Sequence, residues 1–134
     1  LERLYSLFIP FPLNDKAMAG AASYLIGKHD FSSFRATGGG RTHPVRHVID
    51  AHFVQEGERL HFFITADAFL KHMVRIIVGT LLEVGKGKLS PQDFKAILEA
   101  RDRKQAGKTI AAKGLCLMEV GYESFQPSVI GFQV

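Results

Sequence analysis

Between Phe69 and Val84 apolar residues recur in pairs every four positions, as Phe69/Leu70, Met73/Val74, Ile77/Val78 and Leu81/Leu82. That spacing lays a broad hydrophobic stripe on one side of an α-helix and predicts a core helix over this whole stretch. At about 100° per residue Arg75 falls on the other side, in line with Lys71 one turn earlier. Spacing alone leaves two roles for it, a packing cation paired with a neighbouring carboxylate or a guanidinium facing a cleft. A different period governs Val45 to Glu56, where Val45, His47, Ile49, Ala51 and Phe53 alternate with more polar neighbours, and Leu60, Phe62, Ile64 and Ala66 continue it. Two strands separated by Gly57-Glu58 match a type II′ hairpin, so they should pair antiparallel. Asp67 then stands where a cap for the long helix is expected.

The flanking segments complete the set. Asn14 or Asp15 can cap a helix to about Ile26, whose Ala17, Met18, Ala21, Ala22 and Leu25 form a small-residue face, and Gly27 stops it. Asp30 is placed to cap a short turn that drops Phe31 and Phe34 into the core together. Ser90-Pro91-Gln92-Asp93 opens a helix that turns Phe94, Ile97 and Leu98 inward and ends near Ala100. Gly114 to Tyr122 reads as a buried strand, while residues 1–12, closed by Pro10 and Pro12, read as a lead-in or edge segment. Residues 123–134 show no usable period. This order of elements predicts one α+β domain over residues 1–134, a mainly antiparallel sheet with helices packed on it.

Composition narrows the class. Of 134 residues, 46% are hydrophobic and 22% charged, which suits a globular core and argues against disorder. The single Cys116 permits no intramolecular disulfide, and no Cys/His cluster has the spacing of a structural zinc site, so a reducing, cytoplasmic setting is expected and no metal. Lys71, His72 and Arg75 interrupt the longest apolar run, and no membrane span or signal peptide is expected. The first residue, Leu1, is not a methionine, which suggests a fragment of something longer. A net charge of +4 suits a polyanionic partner without requiring one.

Familiar catalytic signatures are missing: no Gly-x-Ser-x-Gly, no zinc-protease histidine pair, no dinucleotide fingerprint and no phosphate-cradling Gly-Lys-Ser/Thr after the glycines of 38–40. What remains is cationic. Lys71 and Arg75 share a helix face, Lys86 and Lys88 lie at its end, and Arg101, Arg103, Lys104, Lys108 and Lys113 follow. Brought together, they would form a surface that neutralises phosphates; nothing in the pattern reads bases.

Four blocks carry a resemblance: His29-Asp30-Phe31-Ser32-Ser33-Phe34-Arg35 with Pro44-Val45-Arg46; Phe69-Leu70-x-His72-Met73-Val74-Arg75-x-Ile77-Val78-Gly79-Thr80-Leu81; Arg103-x-x-Ala106-Gly107-x-Thr109; and Gly114-Leu115-x-Leu117. In order and spacing they resemble the C-terminal half of tRNA pseudouridine synthase A. The resemblance implies a pseudouridine synthase-like α+β fold. It implies an enzyme that isomerises uridines in the tRNA anticodon arm without cofactor or metal, usually as a homodimer. In that family an essential aspartate stands in an Arg-Thr-Asp motif of the N-terminal half; here Arg41-Thr42 is followed by His43, and the motif is absent. The chain is therefore expected to be inactive alone. By position, Arg75 matches the arginine that pairs with that aspartate, and Leu115 matches an apolar wall of the uracil pocket. Arg35, Arg46, Lys71, Arg101, Arg103, Lys104 and Lys108 are the phosphate contacts that position and charge suggest. Thr109-Ile110-Ala111-Ala112 departs from the family's Thr-Ala-Pro-Ala. The alternative reading is a non-catalytic RNA-binding or dimerisation module on the same scaffold.

Overall fold

The computed structural model describes residues 13–36, 43–57 and 59–106 in full, and 2–8 and 115–120 by the course of their backbone. Its centre is an antiparallel sheet of five strands: β1 (Glu2–Phe8), β2 (Gly27–Asp30), β3 (Val45–Glu56), β4 (Arg59–Ala66) and β5 (Leu115–Val120), in the order β2-β3-β4-β1-β5. Three helices accompany it: α1 (Asp15–Ser23), α2 (Met73–Gly85) and α3 (Pro91–Ala100). Short 3₁₀ turns stand at Ser32–Phe34 and Arg103–Gln105. The α+β architecture with a mainly antiparallel sheet is the expected one.

The hairpin forms as its sequence dictates. Glu56 pairs with Arg59 across the two-residue loop, and Gly57 takes φ +63°, the left-handed conformation that the first position of such a loop requires. Alternation along β3 is not uniform, because the register shifts between Val48 and Asp50. That irregularity puts Val48 in the core and leaves Ile49 59% exposed, reversing the expected inward set at this point. Another departure concerns β1. The apolar N-terminal segment is no edge: Leu4 pairs with Phe63 on one side and Met118 on the other, so β1 is an interior strand. The edges are β5 and β2, and β2 was not expected at all, since four residues are too few to show a period.

Helix ends explain the remaining differences. The Asn14 side chain accepts from the Ala17 amide at 3.0 Å and starts α1. That helix closes at Ser23, earlier than expected, because the Tyr24 and Leu25 amides turn back three residues to Ala21 and Ala22. α3 carries the capping box written in its sequence: the Asp93 amide donates to Ser90 Oγ at 3.0 Å and the Ser90 amide to Asp93 Oδ2 at 2.8 Å. Its inward residues are the expected Phe94, Ile97 and Leu98.

The core lies between β3–β4 and the helices. Leu60, Phe62, Ile64 and Ala66 of β4 meet Met73, Ile76, Ile77 and Leu81 of α2 and Met18, Ala21 and Ala22 of α1 in one cluster. Phe34 stacks on Phe94 at 5.4 Å between ring centres. Each of these two rings is fully buried and contributes roughly 1.5–3 kcal/mol of transfer free energy. The stack pins the Ser32–Phe34 turn onto α3, which matters for the site below. Among the described residues no helix is long and apolar enough to cross a membrane.

Candidate nucleic-acid interface

α2 begins four residues later than its apolar period suggests, and this start shapes the site. His72 adopts φ +57°, ψ +11°, a left-handed conformation that an imidazole-bearing residue rarely takes, so no helix can run through it. Leu70 is nevertheless buried, because the loop before His72 also lies against the core. Asp67 caps nothing on α2. Its Oδ1 accepts from the His47 amide at 3.0 Å and the Ala68 amide at 2.8 Å, fastening the loop to β3. The His47 hydrogen bond chiefly holds the Asp67 carboxyl below its ordinary pKa, with the Ala68 amide and the Arg46 charge acting in the same direction.

Arg75 therefore sits in the first turn of α2, half-buried, where the helix has neither a side-chain cap nor an acidic residue. The positive end of the helix dipole and the guanidinium share one place, an arrangement that is self-repulsive until an anion joins it. Among the described residues Arg75 makes no ion pair.

The segment after β2 links α2 to the other cations. Asp30 Oδ1 accepts from the Ser32 amide at 2.9 Å and the Ser32 hydroxyl at 2.6 Å, which shapes the 3₁₀ turn. Burial pushes the Asp30 carboxyl up, but these bonds and the nearby charges of Arg101 and His43 outweigh it, and its pKa lies below the ordinary value. Ser33, fully buried, donates to the Ile97 carbonyl at 2.6 Å and accepts from the Asp102 amide at 2.8 Å. One hydroxyl thus closes the end of α3 and begins the Arg103–Gln105 turn, where Asp102 Oδ1 caps by accepting from the Lys104 amide at 3.0 Å. On the other side the Ala36 amide donates to the Lys71 carbonyl at 3.1 Å. The turn and the chain just beyond it thereby join Arg101, Arg103 and Lys104 to Arg35, Lys71 and the start of α2.

Not every expected contact is equally available. The Arg46 Nη1 donates to the carbonyls of His43 at 2.6 Å and Val45 at 2.7 Å, which turns this guanidinium back on its own strand. Its Nε is buried with no partner among the described residues. Lys108 lies outside the described residues. Leu115 opens β5, in register with Leu7, which is itself in register with Leu60 of β4. Ser33 was not anticipated as an organiser. The signal for the turn is in the sequence, an Asp followed two residues on by a Ser, but the partners of Ser33 are 64 and 69 residues away.

A model of the tRNA pseudouridine synthase family matches residues 21–123. The chain belongs to the tRNA pseudouridine synthase family. Relatives called tRNA pseudouridine synthase A agree with it closely. The one from Moorella thermoacetica is 50% identical over 120 residues, 90% of this chain and 49% of its own. Those from Acetivibrio thermocellus and Clostridium acetobutylicum are 47% and 43% identical over 122 residues, 91% of this chain and 50% of theirs. The chain spans about half the length of the curated relatives it matches.

Proposed function

We propose that residues 1–134 are the C-terminal domain of a tRNA pseudouridine synthase that isomerises uridine to pseudouridine in the anticodon arm. In this reading the chain binds tRNA and supports an active site whose aspartate comes from the part of the relatives that it does not span. The uridine is extruded from its stack; the C1′–N1 bond breaks and a C1′–C5 bond forms, while C5 loses a proton and N1 gains one. The atoms balance without a cofactor.

The observation that carries the proposal is the start of α2, within a chain of this family. There a half-buried arginine shares its first turn with no side-chain cap and no acidic residue. A carboxylate arriving from outside these residues would receive charge-assisted hydrogen bonds from Arg75 and would stay ionised and oriented. In the same reading Leu115 offers an apolar surface to the uracil. Arg35, Lys71, Arg101, Arg103, Lys104 and Lys108 contact phosphates, with Arg46 contributing the donors that its own strand leaves over. The assembled enzyme is a cytoplasmic homodimer, as the family resemblance implies.

Tritium release from tRNA labelled at uridine C5 tests this. The 134-residue chain alone should release none, and turnover by it would refute the division of labour. In a chimera whose other half comes from the Moorella relative, Arg75→Ala should lower turnover far more than tRNA affinity. Equal losses would make Arg75 an ordinary RNA-binding cation.

A further inference from the structure

A cleft of about 530 Å³ opens between β2, the start of β3 and the end of α3. We propose that it is a subsite for one unpaired ribonucleotide of an RNA strand, a reading that rests on the RNA-binding function above. Lys28 and Arg101 supply cations, Asp30 and Glu99 carboxylates, and Val45 and Leu98 an apolar surface. The volume is that of a small-ligand pocket, larger than a phosphate needs. The charges also select. Two cations and two carboxylates cancel, so a bare phosphate gains little, whereas a nucleotide uses both sets. Its phosphate meets Lys28 and Arg101, its ribose hydroxyls donate to a carboxylate, and its apolar faces lie on Val45 and Leu98. Because the 2′-hydroxyl is a donor that DNA lacks, the subsite prefers RNA.

Two details of the backbone support a built site. Asp30 is held in place by both bonds from Ser32. Arg101 follows the last turn of α3 at φ +54°, a left-handed position where glycine is the low-strain residue. Keeping an arginine there costs about 1 kcal/mol, and the residue so placed lines the cleft. The His29 ring at the rim is fixed by a 3.0 Å hydrogen bond between its Nε2 and the Ile26 carbonyl.

The test measures binding of the 134-residue chain to a fluorescein-labelled single-stranded oligouridylate and to its deoxy counterpart by anisotropy, across salt concentrations. RNA should bind more tightly than DNA. Arg101→Gly and Lys28→Ala should each weaken RNA binding roughly three- to tenfold and reduce the salt slope by about 1. Glu99→Ala should remove the preference for RNA. Arg101→Gly should melt at or above the wild-type temperature, since glycine accepts this φ, which separates lost binding from lost fold. If the wild type binds RNA, and both cation variants stay within twofold of it, the subsite is refuted and the RNA-binding function stands. Equal binding of RNA and DNA by the wild type also refutes the subsite. A wild type that binds no RNA overturns both.

Discussion

Ser33→Ala isolates the hydroxyl that joins the two groups of cations. Ser33 is fully buried, and its oxygen makes two bonds, to the Ile97 carbonyl at 2.6 Å and from the Asp102 amide at 2.8 Å. Their loss is unequal in consequence. Asp102 is exposed and water can reach it, whereas Ile97 is 8% exposed and its carbonyl is left short of a partner. Leaving one buried acceptor unsatisfied costs about 1–3 kcal/mol, and the solvated amide adds little. For a domain of this size each kcal/mol lowers the melting temperature by roughly 3–5 °C, so a fall of about 3–15 °C is expected in a calorimetric or circular-dichroism melt. Hydrogen exchange at the Asp102 amide should accelerate, while the Phe94 amide, inside the capped start of α3, should hardly change. Thr in place of Ser should restore much of the exchange protection if its methyl is accommodated. A Ser33→Ala protein that melts within 1 °C of wild type, with Asp102 exchange unchanged, would show that the hydroxyl does not organise this junction.

Two further predictions concern the core. Gly85→Ala would place its methyl carbon 2.5 Å from Met18 Sδ and 3.3 Å from Leu13 Cδ2. Alanine favours helix by roughly 1 kcal/mol over glycine, but overpacking typically costs about 1–3 kcal/mol, so urea titration should show a net loss of stability; a gain would mean that Met18 moves aside freely. His61 is 2% exposed and, among the described residues, neither ring nitrogen has a partner. Burial is the main cause that lowers its pKa from 6.5, with the Arg59 charge adding to it against Glu56. The unfolded chain therefore binds the proton first. Stability is full above about 6.5 and falls as pH drops through that value toward the lower folded pKa. His61→Leu should flatten this part of the pH–stability curve and stabilise the protein at neutral pH by about 1 kcal/mol, since two orphaned polar atoms go. Curves of the same slope in both proteins would sink the argument.

What could be read from the chain, and what could not, divides along a physical line. Local chemistry was legible: the Ser90–Asp93 capping box, the Gly57-Glu58 hairpin and the inward Phe94, Ile97 and Leu98 all follow from contacts within a few residues. Periodicity reported burial faithfully and helicity less so. Phe69 and Leu70 fit the apolar stripe because they pack on the core, yet His72 in the left-handed region makes Met73 the first helical residue. Nothing in the apolar pattern forbids such a break, since the residues on both sides of it are buried. Nor could a four-residue strand such as β2, or the interior place of β1, be seen without the partners that create them. The site shows the same division at its sharpest. The cations were visible in sequence, but charge alone does not say which of them converge. A serine that bonds residues 64 and 69 positions away fixes the segment that carries three of them, and a displaced helix start sets Arg75 at the positive end of α2 instead of one turn inside it. That displacement strengthens the case for an incoming carboxylate. An arginine in mid-helix could be satisfied by side chains on its own surface, whereas one in a first turn with neither a side-chain cap nor an acidic residue is stabilised chiefly by an anion.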